Sequence, residues 1–299
     1  AFGTSRWSSK LVHGGLRYLA HGDVAVAWES AVERARLMRV IAPHLVHPLP
    51  QLLPELRSTR HRDTTLARMG FAAGDAFALA ARTGGRLPRR RRVTADQAAR
   101  LVPALDRQRL TGGMVSFDGQ LEDDARLVVA IARTAAAHGA RILTRVGAVQ
   151  LGADGALVSD DLEPGEFQIR ARHTVNATGV WAGSLDPSVR LRPSRGTHVI
   201  LRGETLGSPR AAVVVPVPGE FGRFVFALPQ PDGLLFCGLT DVPEEARPLP
   251  EEPVPSSTEI DWILAVLSTV LATPVTAADC IGAFAGLRPL VAPDEDGPA

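Results

Sequence analysis

The chain has 299 residues, of which 45% are hydrophobic and 22% charged, so it can bury a sizeable core, and its length fits one large domain or two ordinary ones. Its formal net charge of +1 provides no global field that would attract nucleic acid. Its two cysteines lie far apart without a CxxC pair, which argues against a disulfide framework or a cysteine zinc site, and no apolar run is long enough to suggest a membrane span.

The N-terminal third predicts a loop followed by mixed elements. Residues up to 18 are rich in Gly and Ser without periodicity, which predicts an irregular loop that carries chemistry. Between Asp23 and Pro43, small and apolar residues recur at helical spacing and predict a helix. Residues 45–56 contain three prolines and favour an edge strand over a central one. A second helix is predicted at 64–81, and the arginine run 89–92 predicts a solvated loop.

The middle of the chain predicts a strand, a helix and a second strand in that order. Before them, Thr94 and Gln97 match a capping box and predict a short helix. The strand over 109–117, the helix over 122–138 and the strand over 142–151 then form a βαβ-like pattern. Such a unit implies a sheet covered by helices.

The second half changes to short extended runs, which are typical of antiparallel sheet. These runs are 156–159, 167–176, 197–201, 211–217, 223–228 and 234–239. A helix capped by Ser256 or Ser257 and ending near Leu271, and a last strand over 279–285, complete the predicted elements.

Several segments together resemble a known family. The longest is 3–19, GTSRWSSKLVHGGLRYL, and the others are 123–127, 175–181, 196–198, 238–242 and 286–290. In this order they resemble FAD-dependent glycerol-3-phosphate dehydrogenases over nearly the whole chain. The resemblance implies an α/β protein with a discontinuous FAD-binding domain of the glutathione-reductase or D-amino-acid-oxidase type and a mainly antiparallel substrate domain.

The resemblance also implies a division of the chain. The FAD-binding domain would comprise 1–44, 119–190 and 279–299, and the substrate domain 45–118 and 191–278. No GxGxxG occurs, although the family begins with one. We therefore expect a central portion of such a dehydrogenase, without the first nucleotide-binding unit and the C-terminal end, that by itself binds FAD weakly or not at all.

The expected cofactor site depends on a loop that suits a dinucleotide. Its glycines allow close backbone approach, its hydroxyls supply donors, and Lys10, the only lysine, adds a compact positive charge for phosphate. The resemblance assigns FAD contacts to Thr4, Ser5, Ser8, Ser9, Lys10, Leu11, His13, Gly14, Gly15, Val146, Ala177, Thr178, Gly179 and Trp181. No metal site is expected, because the histidine pair in 44–47 lacks the HExxH pattern.

The expected substrate site depends on arginines. Arg17 beside Tyr18 offers a planar fork and a hydroxyl, which suit a phosphate dianion. The resemblance places both on the substrate together with Thr240, makes Arg288 the cation that polarises the oxygen on carbon 2, and makes His198 the base for its proton. Without the resemblance, an isolated arginine or histidine of this kind is more often a surface or structural residue.

The resemblance implies oxidation of sn-glycerol 3-phosphate to dihydroxyacetone phosphate by hydride transfer to FAD, with electrons passed to a quinone. A cytoplasmic location is expected, and peripheral contact with the inner face of the cytoplasmic membrane and a homodimer are compatible with this function. No nucleic-acid partner is expected. Two alternatives stay open: an FAD oxidoreductase of the amino-acid or sarcosine oxidase type, which would bind a carboxylate, and a non-catalytic relative.

Overall fold

The computed structural model describes residues 3–14, 22–57, 87–220 and 222–292. The α-helices in this part are α1 (Val24–Arg36), α2 (Ala95–Leu101), α3 (Asp124–Ala137), α4 (Ala182–Leu185) and α5 (Ser257–Ser268). A π-helical turn, Leu37–Ile41, extends α1, and short 3-10 turns span Thr4–Arg6, Gly179–Trp181, Gly203–Leu206 and Ala277–Asp279. The strands are β1 (Leu11–Val12), β2 (Val46–Leu56), β3 (Arg91–Thr94), β4 (Leu110–Leu121), β5 (Val146–Gly152), β6 (Gly155–Asp160), β7 (Glu166–Arg170), β8 (Ser194–Arg202), β9 (Ala212–Pro216), β10 (Phe224–Pro229), β11 (Leu234–Gly238), β12 (Val242–Pro243) and β13 (Cys280–Arg288).

Most strands belong to one large mixed sheet. Among the described residues, ten strands join in the order β1-β4-β2-β9-β10-β11-β8-β12, with β3 paired to β4 and β13 paired to β8. The pairing is antiparallel except between β2 and β9. β5, β6 and β7 form a separate antiparallel sheet. Helices and mixed sheet together confirm the predicted α/β class.

The main core lies where α2 and α5 pack on the large sheet. Leu52, Val199 and Leu201 of the sheet and Leu267 of α5 are fully buried in one cluster. Burying such side chains stabilises the fold by about 1.5 to 3 kcal/mol each. The cluster therefore fixes α5 against β8, which later carries part of the candidate site.

Local capping explains where three helices begin. In α2, Thr94 and Gln97 exchange side-chain and backbone hydrogen bonds, and in α5, Ser256 and Glu259 do the same. Asp123 accepts from the Arg126 amide at the start of α3. These contacts satisfy amides that have no partner within the helix. The predicted helices at these positions and at α1 are confirmed, whereas the helix predicted at 64–81 lies outside the described residues.

The predicted edge position of β2 is wrong. β2 lies between β4 and β9. Its prolines, Pro48, Pro50 and Pro54, share one register, so their missing N–H groups face one side of the strand. In the described structure, only Gln51 and Leu52 of β2 pair with β9. The β9 side of β2 therefore needs few backbone hydrogen bonds, and the prolines are tolerated although the strand is central.

The predicted βαβ-like unit is also wrong. β4 belongs to the large sheet, whereas the strand that follows α3 forms a hairpin with β6 in the small sheet. Of the predicted strand 142–151, the first residues lie outside β5, and of 167–176 only the part up to Arg170 is in β7. The arginine run predicted as a loop contributes Arg91 and Arg92 to β3, where both are exposed.

The two predicted domains share strands of one sheet. β13, assigned to the FAD-binding part, pairs with β8 of the substrate part, and β4 runs across the predicted boundary between residues 118 and 119. The domain division stays a prediction. Among the described residues, no helix combines the length and apolar character needed to cross a bilayer.

Candidate functional site

The N-terminal loop, residues 3–10, is fastened to strands from the far end of the chain. Thr4 Oγ1 donates to the Leu287 carbonyl at 2.6 Å, and Ser9 Oγ lies 2.9 Å from His198 Nε2. A Cβ on Gly286 would approach Trp7 Cβ to 2.6 Å, so only glycine permits this crossing of loop and β13. The loop, β8 and β13 therefore meet at one place.

Lys10 holds the loop against the start of α3. Its backbone is left-handed, with φ 57°, and its amide donates to Ser8 Oγ at 3.0 Å. Its ammonium donates to Asp124 Oδ1 at 2.6 Å and to the Arg6 carbonyl at 2.9 Å. The positive charge thus already has a buried carboxylate beside it, and phosphate contact by Lys10 stays a prediction.

His198 is a buried, neutral imidazole. It is 2% exposed and stacks on Phe284 with ring centroids 4.7 Å apart. Burial, together with the positive charges of Arg288 and Lys10, lowers the pKa of His198 to about 3. Its Nδ1 is buried and has no hydrogen-bond partner among the described residues. The ring is therefore uncharged at neutral pH.

Arg288 ends β13 with its guanidinium held from several sides. Nη2 donates to the Thr240 carbonyl at 3.0 Å, and Nη1 donates to Asp241 Oδ1 at 3.1 Å and to Ser194 Oγ at 3.3 Å. Ser194 Oγ also donates to Asp241. The Arg288 side chain keeps 30% exposure. It is a preorganised cation that a ligand can still reach.

Thr240 links this cation to a buried carboxylate behind the sheet. Its hydroxyl accepts from the Thr197 amide at 3.0 Å and donates to Glu259 Oε1 at 2.7 Å. Burial raises the pKa of Glu259, but hydrogen bonds from Thr240, Ser256 and Thr197 outweigh it and lower the pKa to about 2. Substrate contact by the Thr240 hydroxyl stays a prediction.

The segment 176–181 forms a tight turn against the N-terminal loop. Asn176 Oδ1 accepts from the Thr178 hydroxyl at 2.7 Å, and Asn176 Nδ2 donates to the Ala182 carbonyl at 3.0 Å. The Trp181 ring would be 3.2 Å from a Cβ on Gly3. Gly179 has φ 62°, no described residue lies within 4 Å of its Cβ position, and Ala177 is exposed. The backbone of this turn is accessible to a ligand.

Other predicted cofactor residues lie around this centre. His13 Nδ1 is 3.4 Å from Asp118 Oδ2, and Arg34 Nη1 donates to Asp118 Oδ1 at 2.6 Å. A Cβ on Gly14 would lie 2.0 Å from Arg34 Nη1, so the chain passes directly over this guanidinium. Leu11 is in β1, Ser5 is exposed, and Val146 begins β5, against which α4 packs. Gly15, Arg17 and Tyr18 lie outside the described residues.

The structure thus joins Thr4, Ser9 and Lys10 with His198 and Arg288, residues that are far apart in sequence. It also shows partners that the sequence reasoning missed, namely Ser194, Asp241, Glu259, Asp118 and Arg34. Asp241 lies inside the segment 238–242, which the resemblance had singled out. In the sequence, Glu259 can be recognised only as the fourth residue of a capping box. That pattern predicts where a helix begins, but it does not predict contacts with distant residues.

Comparisons with known proteins identify the family of the chain. The family described as "FAD dependent oxidoreductase" matches residues 1–298. The chain is 53% identical over 293 residues to glycerol-3-phosphate dehydrogenase 1 of Mycobacterium tuberculosis, covering 97% of this chain and 56% of that protein. It is 35% identical to glycerol-3-phosphate dehydrogenase of Mycobacterium leprae, covering 99% and 50%. The chain therefore spans about half the length of these relatives.

Solved structures show the same fold. The glycerol-3-phosphate dehydrogenase from Bacillus halodurans complexed with FAD superposes with a TM-score of 0.70 at 26% identity, over 98% of this chain and 50% of that one. The FAD-bound L-alpha-glycerophosphate oxidase of Mycoplasma pneumoniae gives 0.71 at 15% identity, over 97% and 74%, which shows the fold alone. The predicted fold class and FAD as the family's cofactor are confirmed. The chain belongs to the family of FAD-dependent oxidoreductases.

Proposed function

We propose that this chain supplies the substrate-facing side of an enzyme that oxidises sn-glycerol 3-phosphate to dihydroxyacetone phosphate. The supporting observation is the partly exposed guanidinium of Arg288, which Thr240 and Asp241 hold in a fixed orientation. A fixed cation of this kind suits an anionic substrate whose hydroxyl is becoming an alkoxide. The sequence identity to the mycobacterial dehydrogenases supports the same substrate.

The residues present fit FAD. The indole Nε1 of Trp7, in the N-terminal loop, is buried and has no partner among the described residues. The turn with Gly179 and Ala177 presents accessible backbone next to the loop that carries Thr4. We propose that FAD is held by Thr4, Ser5, Ser8, Ser9, Lys10, Leu11, His13, Gly14, Gly15, Val146, Ala177, Thr178, Gly179 and Trp181. When bound, FAD supplies the hydride acceptor that the side chains lack.

Side chains of the protein bind the substrate and stabilise the charge that develops on it. Arg288 stabilises negative charge on the oxygen of carbon 2, because its guanidinium is already oriented by Thr240 and Asp241. His198 accepts the hydrogen bond of that hydroxyl as a neutral ring, and its low pKa makes it a weak proton acceptor at neutral pH. Arg17 and Tyr18 bind the phosphate.

Three further parts of this proposal rest on the resemblance alone. They are a quinone as electron acceptor, peripheral contact with the inner face of the cytoplasmic membrane from a cytoplasmic location, and a homodimer.

Anaerobic flavin bleaching in the full-length protein tests the function. We expect glycerol 3-phosphate to bleach the flavin, whereas glycine and sarcosine leave it oxidised. Arg17→Ala should lower kcat/KM for glycerol 3-phosphate by a factor that corresponds to about 1.5 to 3 kcal/mol of transition-state binding, since a charge-assisted contact is lost. Arg36→Ala, at an exposed position in α1, is the matched control.

Other bleaching patterns would contradict the proposal. Bleaching by glycine or sarcosine but not by glycerol 3-phosphate would support the amino-acid oxidase alternative. A flavin that no substrate bleaches would support a non-catalytic relative.

A further inference from the structure

Alternate residues of β8 face opposite sides of the large sheet. Ser194, Gly196 and His198 face the candidate site, where Ser194 and Gly196 contact Arg288. Arg195 and Thr197 face the other way, toward α5. The two faces are connected at the turn after β11. There the Thr240 carbonyl accepts a hydrogen bond from Arg288, and the Thr240 hydroxyl donates one to Glu259 of α5.

On the α5 side of the sheet, the Glu259 carboxylate accepts hydrogen bonds from several side chains. Its Oε1 accepts from the hydroxyls of Thr197 at 2.9 Å and Thr240 at 2.7 Å. Its Oε2 accepts from Ser256 Oγ at 2.9 Å and lies 3.0 Å from Arg195 Nη2. Glu259 is only 6% exposed. A buried carboxylate with this many charge-assisted or hydroxyl donors holds each of them in a narrow geometry.

We propose that Glu259 is a positioning residue for Arg288. It acts through Thr240: the carboxylate fixes the hydroxyl, the hydroxyl fixes the backbone of the turn, and the turn's carbonyl orients Nη2 of the guanidinium. The inference rests on the proposed function only in treating Arg288 as the substrate-facing cation.

Neutralising the charge of Arg195 would not by itself require Glu259, because a second carboxylate, that of Glu244, also pairs with Arg195. Glu244 Oε2 accepts from Arg195 Nη1 at 2.7 Å, and the Glu244 side chain is 10% exposed. Within the described part of the chain, Glu244 hydrogen-bonds to Arg195, Ala246, Arg247 and Pro193, and not to Thr240 or Thr197. Glu244 therefore offers a matched control, a similarly buried carboxylate on the same arginine without the link to the turn.

Crystal structures of the full-length protein test the geometry without relying on activity. In Glu259→Gln, one oxygen becomes an NH2 group that cannot accept, so we expect the Arg288 guanidinium to lie outside hydrogen-bond distance of the Thr240 carbonyl. Thr240→Val removes only the linking hydroxyl and should move Arg288 in the same way if Glu259→Gln does not fold. Glu244→Gln should leave Arg288 in place. An unmoved Arg288 in Glu259→Gln or Thr240→Val would overturn the inference.

A double-mutant cycle on flavin reduction by glycerol 3-phosphate separates positioning from general structural damage. Glu259→Gln should slow reduction about tenfold or more, the size typical of residues that orient a functional ligand. In the Arg288→Ala background the same substitution should cost nothing further, because its effect passes through Arg288. Additive losses would overturn the inference. If the unmodified enzyme does not oxidise glycerol 3-phosphate, the proposed function fails while the crystal structures still decide the positioning.

Discussion

Gly196 of β8 and Arg288 of β13 lie so close that a Cβ on Gly196 would come within 2.4 Å of Arg288 Nη2. The guanidinium therefore lies directly over Gly196, and it can take this position only because the glycine has no side chain. The nearest atom is the far end of a long side chain and not backbone, so a methyl group there would displace the Arg288 guanidinium and leave the strand intact.

Gly196→Ala should consequently impair catalysis more than stability. With Nη2 displaced from the Thr240 carbonyl, we expect kcat/KM for glycerol 3-phosphate to fall about tenfold or more. The urea midpoint should change little. Gly282→Ala is the control in the partner strand, because its Cβ would meet Ile200 Cδ1 at an ordinary 3.6 Å. Full kcat/KM in Gly196→Ala would contradict the proposed role of Arg288.

The buried pair of Arg34 and Asp118 should contribute strongly to stability. Their side chains are 9% and 11% exposed, and Arg34→Met would leave a buried carboxylate with less compensation. We expect the free energy of unfolding, from urea denaturation, to fall by about 3 to 5 kcal/mol, the cost of breaking a buried pair.

The exposed pair of Arg36 and Glu33, which flanks Arg34 in α1, provides the comparison. The Arg36 side chain is 62% exposed, so Arg36→Met should cost no more than about 1 kcal/mol. Equal losses in the two variants would show that the burial of Asp118 carries no extra energy.

Local signals account for what the sequence predicts well. The starts of α2, α3 and α5 depend on side chains within three residues of the helix start, so the sequence shows them directly. The position of a strand within a sheet depends on distant partners. This is why β2 was expected at an edge, and why the strand after α3 was expected beside β4 although it pairs with β6.

The same distinction holds in the site. His198 and Arg288 could be identified because they lie in short segments that resemble a family, and the structure brings them together with Ser9 and Thr240. Glu259 could not, because its contacts with Thr197 and Thr240 join segments 62 and 19 residues away. Those contacts exist only once α5 is packed on the sheet.

Lys10 offers a test between a structural and a phosphate-binding role. Its ammonium is paired with Asp124, whose side chain is 10% exposed, so Lys10→Met should destabilise the chain by about 3 to 5 kcal/mol in urea denaturation. Adding Asp124→Leu should recover part of this loss, since no buried charge is then left unpaired. Unchanged stability combined with weaker FAD affinity in the full-length protein would instead identify phosphate as its principal partner.

His198 should make stability fall with acid in a defined window. Its pKa is lowered from 6.5 in the unfolded chain to about 3 in the fold, so the unfolded chain binds the proton first. The contribution of the neutral ring is complete above pH 6.5 and is lost as pH falls toward 3, with a slope of up to about 1.4 kcal/mol per pH unit. Glu259, lowered from 4.5 to about 2, adds its own loss only below 4.5.

Urea midpoints between pH 7 and 4.5 therefore isolate the histidine. His198→Gln should flatten the slope over this range, because the buried ring that resists protonation is gone. His138→Gln, at an exposed position after α3, should keep the slope of the unmodified chain. If His198→Gln retains the full slope, the imidazole is not held neutral by burial, and its part in binding the substrate hydroxyl would have to be given up.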